Sequence, residues 1–195
     1  MTDPIPLPRP DVASMSLNAA LARRRSVREF SSQALSAEQL GALCWAAQGV
    51  THPWGLRTAP SAGALYPLEL YVATAEGAFR YLPREHALWR LTGEDLRPGI
   101  CRAALGQDSI RQSAATFLFC GVTERTASKY GQRAGRYVLL EAGHAAQNLL
   151  LEAVALGLGA VPIGAFYDRQ LRLLLDLRSG EAPLYLVAVG FPARS

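Results

Sequence analysis

Arg23-Arg24-Arg25-Ser26-Val27-Arg28 sets four guanidinium groups and a hydroxyl within six residues. Guanidinium groups make charge-assisted, often bidentate hydrogen bonds to phosphate oxygens, so the chemistry on offer is anion binding. Three anions suit it: an acidic surface, a nucleic-acid backbone, or the phosphate of a small cofactor. The same residues also suit the basic end of a helix, where positive charge favours the C-terminal dipole. Nucleic acid is the weaker candidate, because no stacking aromatics and no second basic stripe accompany the cluster.

Two further segments have backbone chemistry. Pro60-Ser61-Ala62-Gly63-Ala64-Leu65-Tyr66-Pro67 strings small residues between prolines, giving either a connecting turn or a loop whose backbone closely approaches a planar ligand. Gly157-Leu158-Gly159-Ala160-Val161-Pro162-Ile163-Gly164-Ala165-Phe166 is either a helix C-cap with a buried strand or a surface bare enough for a ring to stack on. Neither is a dinucleotide fingerprint or a P-loop. His52, His86 and His144 have no metal spacing, and His144 reads as a packed or interface histidine paired with Glu141 one turn earlier. No catalytic side chain stands out, so the chemistry is expected from a bound cofactor.

Composition narrows the setting. The chain has 195 residues, 50% apolar and 18% charged, with a net charge of +4, enough apolar material for one large core. Cys44, Cys101 and Cys120 are odd in number and lack zinc spacing; Cys44 and Cys120 read as buried free thiols. No metal is expected. There is no apolar signal core and no run of about eighteen apolar residues, so the expected setting is a reducing cytoplasm with no membrane span.

Elements must position these segments. Residues 1–15 read as an extended arm, with four prolines in the first ten residues, and residues 16–195 as a single domain. A short helix is expected over Ser16–Arg24. Ser36-Ala37-Glu38-Gln39 is a capping box for a second, stopped by Gly49. Strands are expected at Leu68–Thr74, Phe79–Leu82, Leu88–Leu91, Thr116–Val122 and Leu184–Val189. Part of Glu94–Leu105, a stretch after Asp168 and a long segment, Arg133–Leu156, read as helices. The long helix is apolar nearly all round, which requires burial in a core or against another subunit. Interleaved helices and strands make the class α/β or α+β with a mixed central sheet flanked by helices.

Together these pieces resemble the nitroreductase-like flavoprotein family, and within it the SagB-like dehydrogenase branch that forms thiazoles and oxazoles in peptides. Arg24-Arg25-Ser26-Val27-Arg28 is similar to the family's Arg-Arg/His-Ser-x-Arg/Lys element, which implies that Arg24, Arg25, Ser26 and Arg28 bind the phosphate and ribityl chain of FMN. Pro60, Ser61, Ala62 and Gly63 resemble the loop that reaches the flavin of the partner subunit. Glu141-Ala142-Gly143-His144 through Leu149 is similar to the central helix of a dimer interface, and Leu105-Gly106-Gln107 also fits the branch. Pro162, Ile163, Gly164 and Ala165 correspond to the segment against flavin N5, and Arg194 to a C-terminal phosphate ligand. Many nitroreductases carry Glu-Gly where this chain has Gly164-Ala165.

The resemblance implies a nitroreductase-like fold of the α+β class and a homodimer. It further implies FMN, with NADH or NADPH as electron donor and ping-pong hydride transfer through N5. The substrate would be a small nitro- or quinone-type acceptor or a modified peptide. Alternatives are an azoline-to-azole dehydrogenase using oxygen, and a flavin-binding protein without turnover. Tyr66 and Gln107 are candidates for contact with flavin or substrate.

Overall fold

Ser36 opens its helix as the capping box predicts. Its hydroxyl accepts from the Gln39 N–H at 3.3 Å while Gln39 Oε1 accepts from the Ser36 N–H at 3.0 Å. Helix α2 (Ala37–Gln48) then runs to Gly49. Ser16 caps α1 (Leu17–Arg23) in the same manner, its hydroxyl accepting from Ala19 N–H at 3.2 Å. The computed structural model describes residues 3–10 and 15–193.

Seven strands form one sheet: β1 (Ile5–Pro6), β2 (Leu68–Thr74), β3 (Gly77–Leu82), β4 (Ala87–Thr92), β5 (Ala115–Val122), β6 (Gly159–Ile163) and β7 (Glu181–Gly190). Their order is β1-β4-β3-β2-β5-β7-β6, and each pair of neighbours is antiparallel. Among the described residues, parallel pairing enters only at an isolated bridge from Ser26 to Ala160. The expected mixed sheet is therefore mixed only at that edge.

Strand β5 shows why the sheet is covered on both faces. Phe117 and Phe119 pack into one core layer, with Leu43, Val138, Ala145 and Leu149. Leu118 and Cys120 point the other way, into a layer with Ile100, Ile110 and Leu171. The first layer is roofed by α2 and α6 (Ala134–Ala155), the second by α3 (Arg97–Ala103), α4 (Asp108–Gln112) and α7 (Asp168–Leu174). Cys44, Cys101 and Cys120 are all buried free thiols.

Three expectations change. The arm is not wholly irregular: Ile5 and Pro6 pair with Leu88 and Ala87 as an edge strand, where a proline's missing N–H can be tolerated. A further helix, α5 (Thr123–Tyr130), follows β5 without a loop. Of the two covers expected for the long helix, the core supplies only part, since Leu139 and Leu140 are 60% and 51% exposed in the single chain.

Candidate active site

The basic segment begins where α1 stops. Arg24 caps that helix, its N–H donating to the Ala20 carbonyl at 2.9 Å, and Arg25 Nε donates to the Arg23 carbonyl at 3.0 Å. Arg25 thus also serves as the cation at a helix C-terminus that the sequence allowed. The chain next lies along β6: Ser26 pairs with Ala160, and the Val27 N–H donates to the Ala160 carbonyl at 3.0 Å. It continues past the end of β7, where Phe30 pairs with Pro192 and Ala193 N–H donates to the Glu29 carbonyl. Arg23, Arg25 and Arg28 are exposed and Arg24 is half-buried. Among the described residues none of the four has a carboxylate partner, so their charge is available to an external anion. Arg194 lies outside the described residues.

From Ala160 the strand leads to Pro162 and Ile163, where its ladder with β7 ends at the Ile163–Leu186 pair. Gly164 and Ala165 beyond it are exposed. A Cβ added to Gly164 would meet only the Tyr185 ring, at 3.8 Å, so the backbone here is open to a close approach. Gln107 fixes this turn: its Nε2 donates to the Ala165 carbonyl at 3.2 Å and to the Ala104 carbonyl at 3.1 Å. The structure thus brings Ser26, Pro162 to Ala165 and Gln107 onto one edge of the sheet. Gln107 acts there as a tie, both its amide hydrogens being engaged.

The Pro60 loop is built around left-handed backbone. Gly63, Ala64 and Tyr66 have φ of 63°, 54° and 48°, a conformation that costs a non-glycine residue on the order of 1–3 kcal/mol and persists where its surroundings enforce it. Tyr66 supplies that enforcement. Its N–H donates to Ser61 Oγ at 2.9 Å, its hydroxyl accepts from Arg57 N–H at 3.1 Å, and its carbonyl accepts from Arg125 at 3.1 Å. The Arg57 guanidinium lies 4.5 Å above its ring. Tyr66 therefore braces the loop. A Cβ on Gly63 would stand 3.1 Å from the Tyr130 hydroxyl and 3.2 Å from Lys129 Nζ, so these two side chains close over the turn.

Beneath the loop sits a residue whose role the sequence did not reveal. Glu141 is 2% exposed and its Oε1 has no hydrogen-bond partner. Burial pushes its carboxyl up to about 7, against the opposing pull of the Ser61 hydroxyl and the Arg57 charge. Burial likewise lowers the Arg57 guanidinium from its ordinary value, and its Nη1 donates to Gln48 Oε1 at 2.6 Å. Glu141 does not pair with His144, which is exposed, because the carboxylate belongs to the inward stripe of α6 with Val138, Ala142 and Ala145. The available signal was an acid inside an apolar helical stripe.

No hydrogen bond or bridge among the described residues links the Pro60 loop to the arginine segment or to Gly164–Ala165. Within one chain they form two groups that no such bond joins. The outer face of α6 carries Leu139 and Leu140 beside Gly135 and Gly143, where an added Cβ would meet nothing within 4 Å. Among the described residues no cluster of three potential metal ligands occurs, and no helix is long and apolar enough to cross a membrane. Unpaired cations beside open backbone suit an anion carrying a planar ring.

Residues 21–191 match the Nitroreductase family. A candidate nitroreductase of Methanocaldococcus jannaschii is 41% identical over 196 residues, covering 97% of this chain and 98% of its own. The crystal structure of a candidate nitroreductase from Ralstonia eutropha JMP134 superposes with a TM-score of 0.89 at 34% identity, covering 98% of this chain and 90% of that one. A chain of the Escherichia coli microcin synthetase McbBCD complex, with truncated pro-MccB17 bound, gives a TM-score of 0.78 at 25% identity over 94% of this chain and 75% of its own.

Proposed function

The chain belongs to the nitroreductase family of oxidoreductases, and from that premise we propose that it works as a homodimeric FMN enzyme with two active sites between its subunits. The residues fit this cofactor. Among the described residues Arg24, Arg25 and Arg28 are cations without acidic partners, and Gly164 and Ala165 expose backbone at the end of β6. FMN, when bound, supplies hydride transfer from NADH or NADPH to an acceptor of nitro or quinone type.

The protein's own contribution is binding, orientation and electrostatics. Arg24, Arg25, Arg28 and Arg194 neutralise the phosphate, and Ser26 bonds the ribityl chain or phosphate. The amides around Ile163 to Ala165 offer donors to the ring edge where negative charge accumulates on reduction. Pro60, Ser61, Ala62 and Gly63 come from the other subunit, which accounts for the separation of the two half-sites within one chain. Leu139 and Leu140 are the apolar surface that the second copy covers.

The observation that supports this reading is the pairing of Ser26 and Val27 with Ala160, which puts the arginine segment on the strand that continues into Pro162 to Ala165. Purified protein, reconstituted with FMN if necessary, is expected to bind about one equivalent per chain and to bleach on anaerobic mixing with a nicotinamide. Protein that takes up no FMN overturns the proposal, and FMN uptake without reduction by any donor leaves only a flavin-binding protein.

A second reading is dehydrogenation of an azoline in a modified peptide, with oxygen as acceptor. Its support is the likeness to the microcin synthetase chain. Rapid bleaching by NADPH favours the reductase. Bleaching only by an azoline peptide favours the dehydrogenase.

A further inference from the structure

The far end of the sheet encloses a cavity of about 520 Å³. Strand β2 separates it from the Pro60 loop: Leu68, its first residue, follows Pro67, whereas Thr74, its last, lines the cavity. Seven extended residues span roughly 20 Å. The chamber is therefore distinct from the Pro60 loop, while Ser31 to Leu35, which continue the arginine segment, form part of its lining; its volume lies in the range of small-molecule sites.

Its floor is apolar. Leu7, Leu40, Phe79 and Leu88 line it, all belonging to or packed on the core layer under α2. Its charge is lopsided, with Arg90, Arg97 and Arg111 against one acid, Glu76. Two of these arginines are satisfied: Arg97 pairs with Asp95 at 2.7 Å and Arg111 with Asp108 at 2.9 Å. Arg90 is not. Its Nη1 donates to the Glu76 carbonyl at 2.9 Å and its guanidinium lies 4.9 Å above the Phe79 ring, but among the described residues no carboxylate pairs with it. A half-buried guanidinium over the aromatic wall of a chamber with an apolar floor, with N–H donors to spare, suits one negative charge joined to an apolar body.

We propose that this cavity binds a small amphipathic carboxylic acid, its carboxylate on Arg90 and its apolar body against Leu40, Phe79 and Leu88. The arm completes the chamber. Ile5, Pro6 and Leu7 form one wall, held by the β1–β4 pairs and by Leu7 N–H donating to the His86 carbonyl at 2.9 Å.

Phenylbutyrate, phenylbutanol and phenylbutylamine share one body and differ in charge, so calorimetric titration of the full chain, saturated with FMN if it binds FMN, tests the proposal. A single saturable site is expected for phenylbutyrate, with the alcohol weaker by about tenfold or more and the amine silent. The thermal midpoint should rise with phenylbutyrate concentration, as binding to the native state alone requires. Arg90→Gln should lower the affinity for the acid to that for the alcohol. Ala75→Trp, in the exposed turn at the mouth, should block both ligands while leaving Arg90 in place, and far-ultraviolet dichroism of both variants checks that they fold. Equal affinity for acid and alcohol overturns the proposal. So does undiminished phenylbutyrate binding in either variant, or no saturable binding at millimolar probe.

Discussion

Gly159 and Val27 meet so closely that no side chain fits between them: a Cβ on Gly159 would stand 2.8 Å from the Val27 Cβ. This contact seats the arginine segment on β6. Gly159→Ala should unseat it, costing about 1–3 kcal/mol by overpacking and weakening FMN binding several-fold without altering any proposed ligand. The double variant Gly159→Ala/Val27→Gly, which removes the opposing Cβ, restores the space and should recover most of the affinity. Fluorescence titration with FMN distinguishes the two, and equal affinity in all three proteins would refute the seating role.

Charge neutralisation makes a sharper demand. Replacing Arg24 and Arg28 together with Gln should weaken FMN by tenfold or more, since charge-assisted bonds are worth about 1.5–3 kcal/mol each. Riboflavin, which lacks the phosphate, should lose nothing by the same change. A parallel loss for both ligands would remove the phosphate from the assignment.

Acidity of Glu141 sets a stability slope. Its carboxyl is raised from 4.5 to about 7 by burial, so between those values the native state holds more protons than the unfolded chain. Stability therefore falls as pH rises through that window and levels off above it. Glu141→Gln abolishes this component, so the thermal midpoint of the variant relative to the parent should climb between about pH 5 and pH 8. Parallel melting curves across the window would contradict the placement of the carboxylate.

Subunit contact is tested on α6. Leu139→Glu with Leu140→Glu places like charges on a face that is already open in the single chain, so the fold should survive while the dimer should not. Light scattering is expected to show a monomer, and FMN content should drop by most of its value because each half-site loses its complement. A dimer with full flavin would exclude this face.

Local signals were strong enough to be read directly. Ser36 and Gln39 form the capping box, Leu68–Thr74 is β2 with the same ends, and Arg133–Leu156 contains the helix Ala134–Ala155. The α5 helix escaped because Val122 passes from strand to helix with no side-chain cap or breaker, and α4 is only five residues long. The pairing of Ser26 with Ala160 spans a sequence distance that no periodicity reports. The Arg57–Glu141–Tyr66 support was hidden for the same reason: the three residues lie in different elements, and burial alone gives Glu141 its character.

Strand β6 is the last in the sheet, and terminal strands with open N–H and C=O groups invite pairing with other molecules. Ser26 and Val27 cover that border, and the arginines beside them add repulsion between copies. The segment thus occupies the border at which another strand could pair, besides carrying the cations proposed to hold the phosphate. A substitution at Val27 that loosens the segment should therefore loosen the cover of that border too.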